Sequence, residues 1–228
     1  MAKESPFLHQ QKIALGIFVL ILAIIAGYLI WTALAPTIDG EFVEGEHYQL
    51  IDNPRRIRGD TIEVMEFFSY GCVHCYNFDP DLTAWAEERT DQVTFIRVPA
   101  VANTQWRLLA RNYYTMQELG LFETMHTPFF RLIHEGRQVF DSVEDIGKFY
   151  EARGVTREAF DAAFNSTAVN NELVRADQLA RRMQIASVPT IVVQGKYLVR
   201  ATREIGPSRM LDVMDYLVEK ELNAAPAS

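Results

Sequence analysis

Thiols are scarce in this chain: 228 residues hold two cysteines, and both fall inside "EFFSYGCVHCYNF", residues 66–78. One pair falls short of the four ligands that a structural metal site normally takes, and His9, His47, His126 and His134 show no ligand spacing around it. Basic charge is also lacking. Lys and Arg number 22 against 30 Asp and Glu, a formal net charge of -8. A nucleic-acid partner is thereby excluded, because neutralising phosphates needs a basic surface. No disordered or collagen-like compositional bias is present, and no internal repeat. What remains is a composition 49% hydrophobic and 11% aromatic, ample for a buried core.

One long uncharged run is present. Ile13 to Ala35, "IALGIFVLILAIIAGYLIWTALA", has 23 residues. As a helix it measures roughly 35 Å at about 1.5 Å per residue, enough to cross a hydrocarbon core of roughly 30 Å. Lys3 and Lys12 precede it and only acids follow closely, in "PTIDGEFVEGE". The positive-inside bias then predicts a cytoplasmic tail over 1–12, a transmembrane anchor over 13–35 and an exported remainder. The competing reading is a signal sequence cut after Ala33-Leu34-Ala35. The run exceeds an ordinary signal-peptide core of roughly 7 to 15 residues, and Pro36 would be the first residue after the cut. Either way the rest is exported. Residues 1–35 hold two Lys and one Glu, so the exported part carries 20 basic and 29 acidic side chains, a formal -9. In that compartment a disulfide can persist.

Residues 36–46 read as a linker, with Pro36, Gly40 and Gly45 breaking structure among acids. His47–Ile51 is expected as a short edge strand and Ile62–Phe68 as a full one. A helix follows from Cys72 to about Glu88, then a strand over Val93–Val98 stopped by Pro99. Residues 103–186 show helical spacing without a strand: Trp106, Leu109, Tyr113 and Met116, then a capping-box-like Ser142 and Asp145 with an end near Gly154. Phe160 and Phe164, then Val169, Leu173, Ala176, Leu179 and Met183, continue the rhythm. "PTIVVQGKYLV", Pro189–Val199, reads as a hairpin turning at Gln194-Gly195, and Pro207 opens a terminal helix. The expectation is an α/β fold with a small sheet over 47–102 and 187–222, interrupted by a helical insertion over 103–186. Trp85 and Trp106 are expected in the core, His126 and His134 at the surface, and the acids of 142–158 on a solvated face.

A C-x-x-C pair can bind metal, form an inert bridge or exchange disulfides. An inert bridge across so short a loop removes little unfolded-state entropy. Exchange fits the local sequence better. A strand ending at Phe68 and a helix starting near Cys72 place the first sulfur over unpaired N–H groups at a positive helix end, with His74 adding charge. A free thiol titrates near 8.5, and such sites bring it to roughly 3.5 to 7.5. A fall of about five units stabilises the reduced form by about 7 kcal/mol, or roughly 150 mV in a two-electron couple. A dithiol so favoured hands its disulfide on.

Taken together, "EFFSYGCVHCYNF", "SVPTIVVQGKYLV" and the helical stretch between them resemble the DsbA family of thiol:disulfide oxidoreductases. The resemblance runs from about residue 47 to 220. It implies a thioredoxin-like fold with an inserted helical domain, and roles at matching positions. Cys72 would be the exposed sulfur and Cys75 the buried resolving one. Val188-Pro189 matches the cis-proline loop that lies against the disulfide and meets an extended substrate, with Val73 beside it. Glu66 matches a buried acid suited to relaying the proton of Cys75; residue pattern alone also allows a solvated strand charge. The resemblance implies no organic cofactor, a monomer, cysteine-containing exported substrates, and reoxidation by a DsbB-like quinone-linked membrane oxidase. Two features depart from it: Val73 stands where the family commonly has proline, and an uncleaved anchor is unusual.

The expected activity is that of a periplasmic dithiol oxidase held at the inner membrane by one span, or free in the periplasm if cut after Ala35. Two rivals stand beside it. A tethered reductase or isomerase would show a thioredoxin-like poise, yet Tyr70-Gly71 precede Cys72 where dedicated reductases carry tryptophan. An anchored binding module or chaperone would keep its function when Cys72 becomes Ser.

Overall fold

A computed structural model describes residues 16–26, 42–57, 59–202 and 205–224. The chain divides into two units, the second beginning at Phe42. In the first, residues 16–26 form an exposed helix, α1. Among the described residues no helix is long and apolar enough to cross a membrane. Of the uncharged run, 13–15 and 27–35 lie outside the described residues, as do the tail over 1–12 and residues 36–41 of the expected linker.

The second unit is built on five strands: β1 (Gln49–Leu50), β2 (Ile62–Phe68), β3 (Val93–Pro99), β4 (Thr190–Val193) and β5 (Tyr197–Arg200). They lie in the order β1-β5-β4-β2-β3, with β2 and β3 parallel and the other pairs antiparallel. β2 is therefore an interior strand, its Val64 opposite both Phe95 of β3 and Val193 of β4. Both of its faces are covered, so "IEVMEFF" reads as one apolar run broken only by its two glutamates. Pro99 closes β3 inside the ladder, opposite Phe68. An edge strand tolerates a residue without an N–H donor. Gln194 and Gly195, with φ of 52° and 59°, lie in the three-residue turn from β4 to β5, where the Lys196 N–H donates to the Val193 carbonyl at 3.0 Å.

One sheet face packs on α2 (Val73–Glu87) and α8 (Pro207–Ala224), where Phe78, Leu82 and Trp85 meet Val64, Ile191, Met214 and Leu217. Met65, Phe67 and Val192 face the other way. They join a core shared with five helices inserted between β3 and β4: α3 (Thr104–Glu118), α4 (Phe122–His134), α5 (Val143–Glu151), α6 (Arg157–Phe164) and α7 (Thr167–Arg182). Polar side chains open four of these helices, Asn103, Ser142, Thr156 and Ser166 each accepting a backbone N–H three residues on. Phe42, within the stretch read as linker, is buried and its ring lies 5.6 Å from that of Tyr216 on α8.

Candidate active site

β2 delivers the chain to Ser69-Tyr70-Gly71, and α2 begins at once. Cys72 is the N-cap of α2, with extended backbone (φ -102°, ψ 114°). Its sulfur does what a serine or aspartate oxygen does at that position: it accepts the Cys75 N–H, at 3.3 Å. The sulfur also lies 3.6 Å from the Val188 carbonyl. Both cysteines are free thiols, Cys72 half-buried and Cys75 fully buried. The Cys72 thiol is lowered to about 6. A hydrogen bond from the Cys75 thiol is the largest cause; burial opposes it; the N–H groups of Cys75 and His74 and then the charge of His74 add to it. The helix-tip surroundings favour the thiolate, with His74 contributing less than the hydrogen bonds. Cys75 moves the other way, far up, chiefly by burial and then through Cys72 and Glu66. One sulfur is thus half-buried and favoured as the thiolate, and the other is a buried thiol.

Below the pair sits Glu66, only 1% exposed. Burial raises its carboxyl to about 8, against the pull of Arg97. The Arg97 Nε lies 3.3 Å from Glu66 Oε2 but is not aligned to donate to it. Arg97 spends its better-aligned hydrogens elsewhere, on Asp79 Oδ1 at 3.0 Å and Thr83 Oγ1 at 2.6 Å. Glu66 therefore keeps its proton at neutral pH while sitting among the two cysteines, Arg97 and Asp79.

Val188 and Pro189 arrive at the start of β4, joined by a cis peptide bond, and Val188 is half-buried against the same core as Cys72. Val73 and His74 are exposed on the first turn of α2, Val73 by 49%. Gly71 is exposed as well. A Cβ there would stand 3.2 Å from Trp106 Nε1 and 3.5 Å from Leu109 Cδ1, so the absence of a side chain lets α3 come close to the dithiol turn. Trp85 is buried as expected, while Trp106 is half-buried at this rim. Among the described residues no group of three or more His, Cys, Asp or Glu could hold a metal ion.

The two histidines expected at the surface are not there. His126 is 5% exposed, its Nδ1 2.7 Å from the Tyr70 hydroxyl and its Nε2 3.0 Å from Asp79 Oδ1. His134 is half-buried, donates from Nε2 to the Tyr70 carbonyl at 2.8 Å and stacks on Tyr76 at 4.9 Å. Both project from α4, so the insertion grips the residue two before Cys72 by side chain and by backbone. A signal for His126 was present: it stands four residues from Phe122 and Phe130 and three from Phe129, on the apolar stripe of α4. Arg97 and Asp79 carried no comparable mark.

An N-capping thiolate, a buried partner thiol and an acid beneath them, on a thioredoxin-like sheet with a helical insertion, define a thiol:disulfide oxidoreductase. The profile of the DSBA-like thioredoxin domain matches residues 94–214. The thiol:disulfide interchange protein DsbA of Pseudomonas aeruginosa is 33% identical over 186 residues, 81% of this chain and 88% of that one. The Azotobacter vinelandii protein of the same name is 37% identical over 163 residues, 72% and 76% of the two chains. Among solved structures, Pseudomonas aeruginosa DsbA superposes with a TM-score of 0.78 at 33% identity, over 83% of this chain and 99% of that one. The DsbA of Xylella fastidiosa gives 0.74 at 35%, over 81% and 99%. The chain belongs to the DsbA-like thioredoxin family.

Proposed function

We propose that this oxidoreductase works as an oxidase of exported proteins, from a domain held at the periplasmic face of the inner membrane. The observation that carries the direction of transfer is the lowered Cys72 thiol, which favours the reduced enzyme over its disulfide. A substrate thiolate attacks the Cys72 sulfur of the Cys72–Cys75 disulfide. The substrate–Cys72 bond forms, the Cys72–Cys75 bond breaks, and its electron pair goes to Cys75, which takes a proton from Glu66. A second substrate thiolate then attacks the substrate sulfur of the mixed disulfide, and Cys72 leaves as the thiolate its surroundings favour. Two electrons have passed to the enzyme. Val73 and the Val188-Pro189 loop flank Cys72 and would receive an extended substrate. A DsbB-like quinone-linked membrane protein, docking at the same rim, would take the electrons away.

The uncharged run over 13–35 supports the tether, and a tether would raise the effective concentration of the domain at a membrane partner. Cleavage after Ala35 would leave the same chemistry free in the periplasm.

Trapping tests the proposal. Cys75→Ala full-length protein, expressed in cells, should accumulate disulfide-linked to exported cysteine proteins through Cys72. A trap that stays empty, or an equilibrium with glutathione as reducing as thioredoxin's, would defeat the oxidase reading.

A further inference from the structure

The buried polar chain under the dithiol does not end at Arg97. Asp79 Oδ1 receives Arg97 Nη2 and His126 at the same oxygen, each at 3.0 Å. Asp79 is held below the usual carboxylate range: burial raises it, and His126 and Arg97 together overcome that. An ionised carboxylate only accepts, so the hydrogen between them sits on His126 Nε2. Nδ1 is then bare and accepts the Tyr70 hydroxyl. Burial also disfavours the imidazolium. The side chain is thus a neutral imidazole in one tautomer, fixed from both ends.

We propose that His126 is a positioning residue for the exchange reaction: by sharing Asp79 with Arg97, it leaves part of the guanidinium charge for Glu66 and so sets how readily Glu66 gives and takes the proton of Cys75. The inference rests on the reading of Glu66 as that proton's partner. Every charged or titratable group around the chain enters the balance. His126 faces Tyr70 ahead of α2, Asp79 on α2, Arg97 on β3, Tyr113 on α3 and Glu123 on its own helix. Glu66 faces Arg97, Asp79, both cysteines and Tyr113. Without the His126 donor, Asp79 stays ionised but draws Arg97 closer and presents more bare charge to Glu66. Both changes hold the Glu66 proton more tightly.

The step to time is resolution, where Cys75 attacks the Cys72 sulfur of a Cys72–glutathione mixed disulfide. The Cys72–Cys75 bond forms, glutathione leaves as thiolate, and the Cys75 proton passes to ionised Glu66. Full-length protein carrying the mixed disulfide is prepared in acid and jumped to a series of pH values. In the wild type the rate should rise through an inflection near the Glu66 value of about 8. His126→Leu should move the inflection upward by at least half a unit, slowing resolution at neutral pH about threefold. His126→Gln, which keeps a donor for Asp79 and an acceptor for Tyr70, should restore it. An inflection unmoved in His126→Leu, or moved equally in both variants, overturns the proposal. Glu66→Gln separates the two layers: it should flatten the profile, and an unchanged inflection there overturns the reading of Glu66 itself and the inference with it. If His126→Leu does not fold, nitrogen NMR of the wild-type ring decides: protonation at Nε2 alone near neutral pH supports the proposal, and a doubly protonated ring overturns it.

Discussion

The ionisation of Cys72 can be taken apart by two substitutions whose effects differ in size. Its lowering to about 6 comes first from the Cys75 thiol donating to the Cys72 sulfur, and last from the charge of His74. Cys75→Ala removes the thiol donor and keeps the backbone N–H that lies 3.3 Å from the sulfur. A hydrogen bond to a charged acceptor contributes about 1.5 to 3 kcal/mol, or roughly one to two pK units. Sulfur donors lie at the weak end, so a rise of about one unit is expected. His74 is exposed on the helix surface, where opposite charges attract by about 1 kcal/mol or less. His74→Leu should therefore raise Cys72 by less than about 0.7 unit. Ultraviolet thiolate absorbance of the reduced full-length protein, followed against pH, reads both. A larger shift in His74→Leu than in Cys75→Ala would refute the reasoning, because it would make the imidazole, and not the capping hydrogen bonds, the principal stabiliser of the thiolate.

Three further outcomes follow from particular contacts. The lowered Cys72 value acts as a carboxylate's would: its contribution to the folded dithiol is full above the unfolded thiol's value, near 9, and is lost as pH falls through about 6. Three units correspond to about 4 kcal/mol, and with Cys72 half-exposed about 2 kcal/mol is the better expectation, so denaturant midpoints of the reduced form relative to the disulfide form should climb between pH 6 and 9. Tyr150→Phe strands the buried Asn112 Oδ1, which accepts the Tyr150 hydroxyl at 2.9 Å, and should cost about 1 to 3 kcal/mol in urea unfolding, with part of the loss recovered when Asn112→Leu is added. Gly71→Ala pushes a methyl group against Trp106 and should change tryptophan fluorescence with less than about 1 kcal/mol of lost stability, since a half-buried indole can give way.

Much of the scaffold was legible because it is specified locally. β2 is an apolar run between turn residues, the Gln194-Gly195 turn has the composition its positive φ values demand, and Pro207 marks the first turn of α8. The cysteine pair was legible for the same reason. Three residues of spacing at a strand-to-helix junction already place one sulfur at the N-cap and the other a turn inside the helix. Helix ends differed by a residue or so, Val73–Glu87 against an expected Cys72 to Glu88, because a capping residue stands half outside the helix it opens.

Of the polar chain beneath the pair the resemblance supplied Glu66 alone; the rest was not legible, and the reason is topological. Glu66, Arg97, Asp79 and His126 come from β2, β3, α2 and α4, and no spacing rule links positions that meet only because β3 pairs in parallel with β2 and the insertion folds back over the sheet. Arg97 and Asp79 look ordinary in their own segments. Arg97 shares a strand with Thr94, and Asp79 follows Phe78 on a helix that also carries exposed Asp81. Burial obliges an acid to stay protonated or to find a cation, and Glu66, on a strand paired on both sides, does the first with the second within reach. That cation stands directly opposite it, the parallel register pairing Glu66 with Arg97. The obligation then passes down the line. The Arg97 side chain is itself only 10% exposed and brings Asp79, and Asp79 brings His126 from the insertion. The helical domain is therefore part of the electrostatics of the dithiol as well as a cover for the sheet.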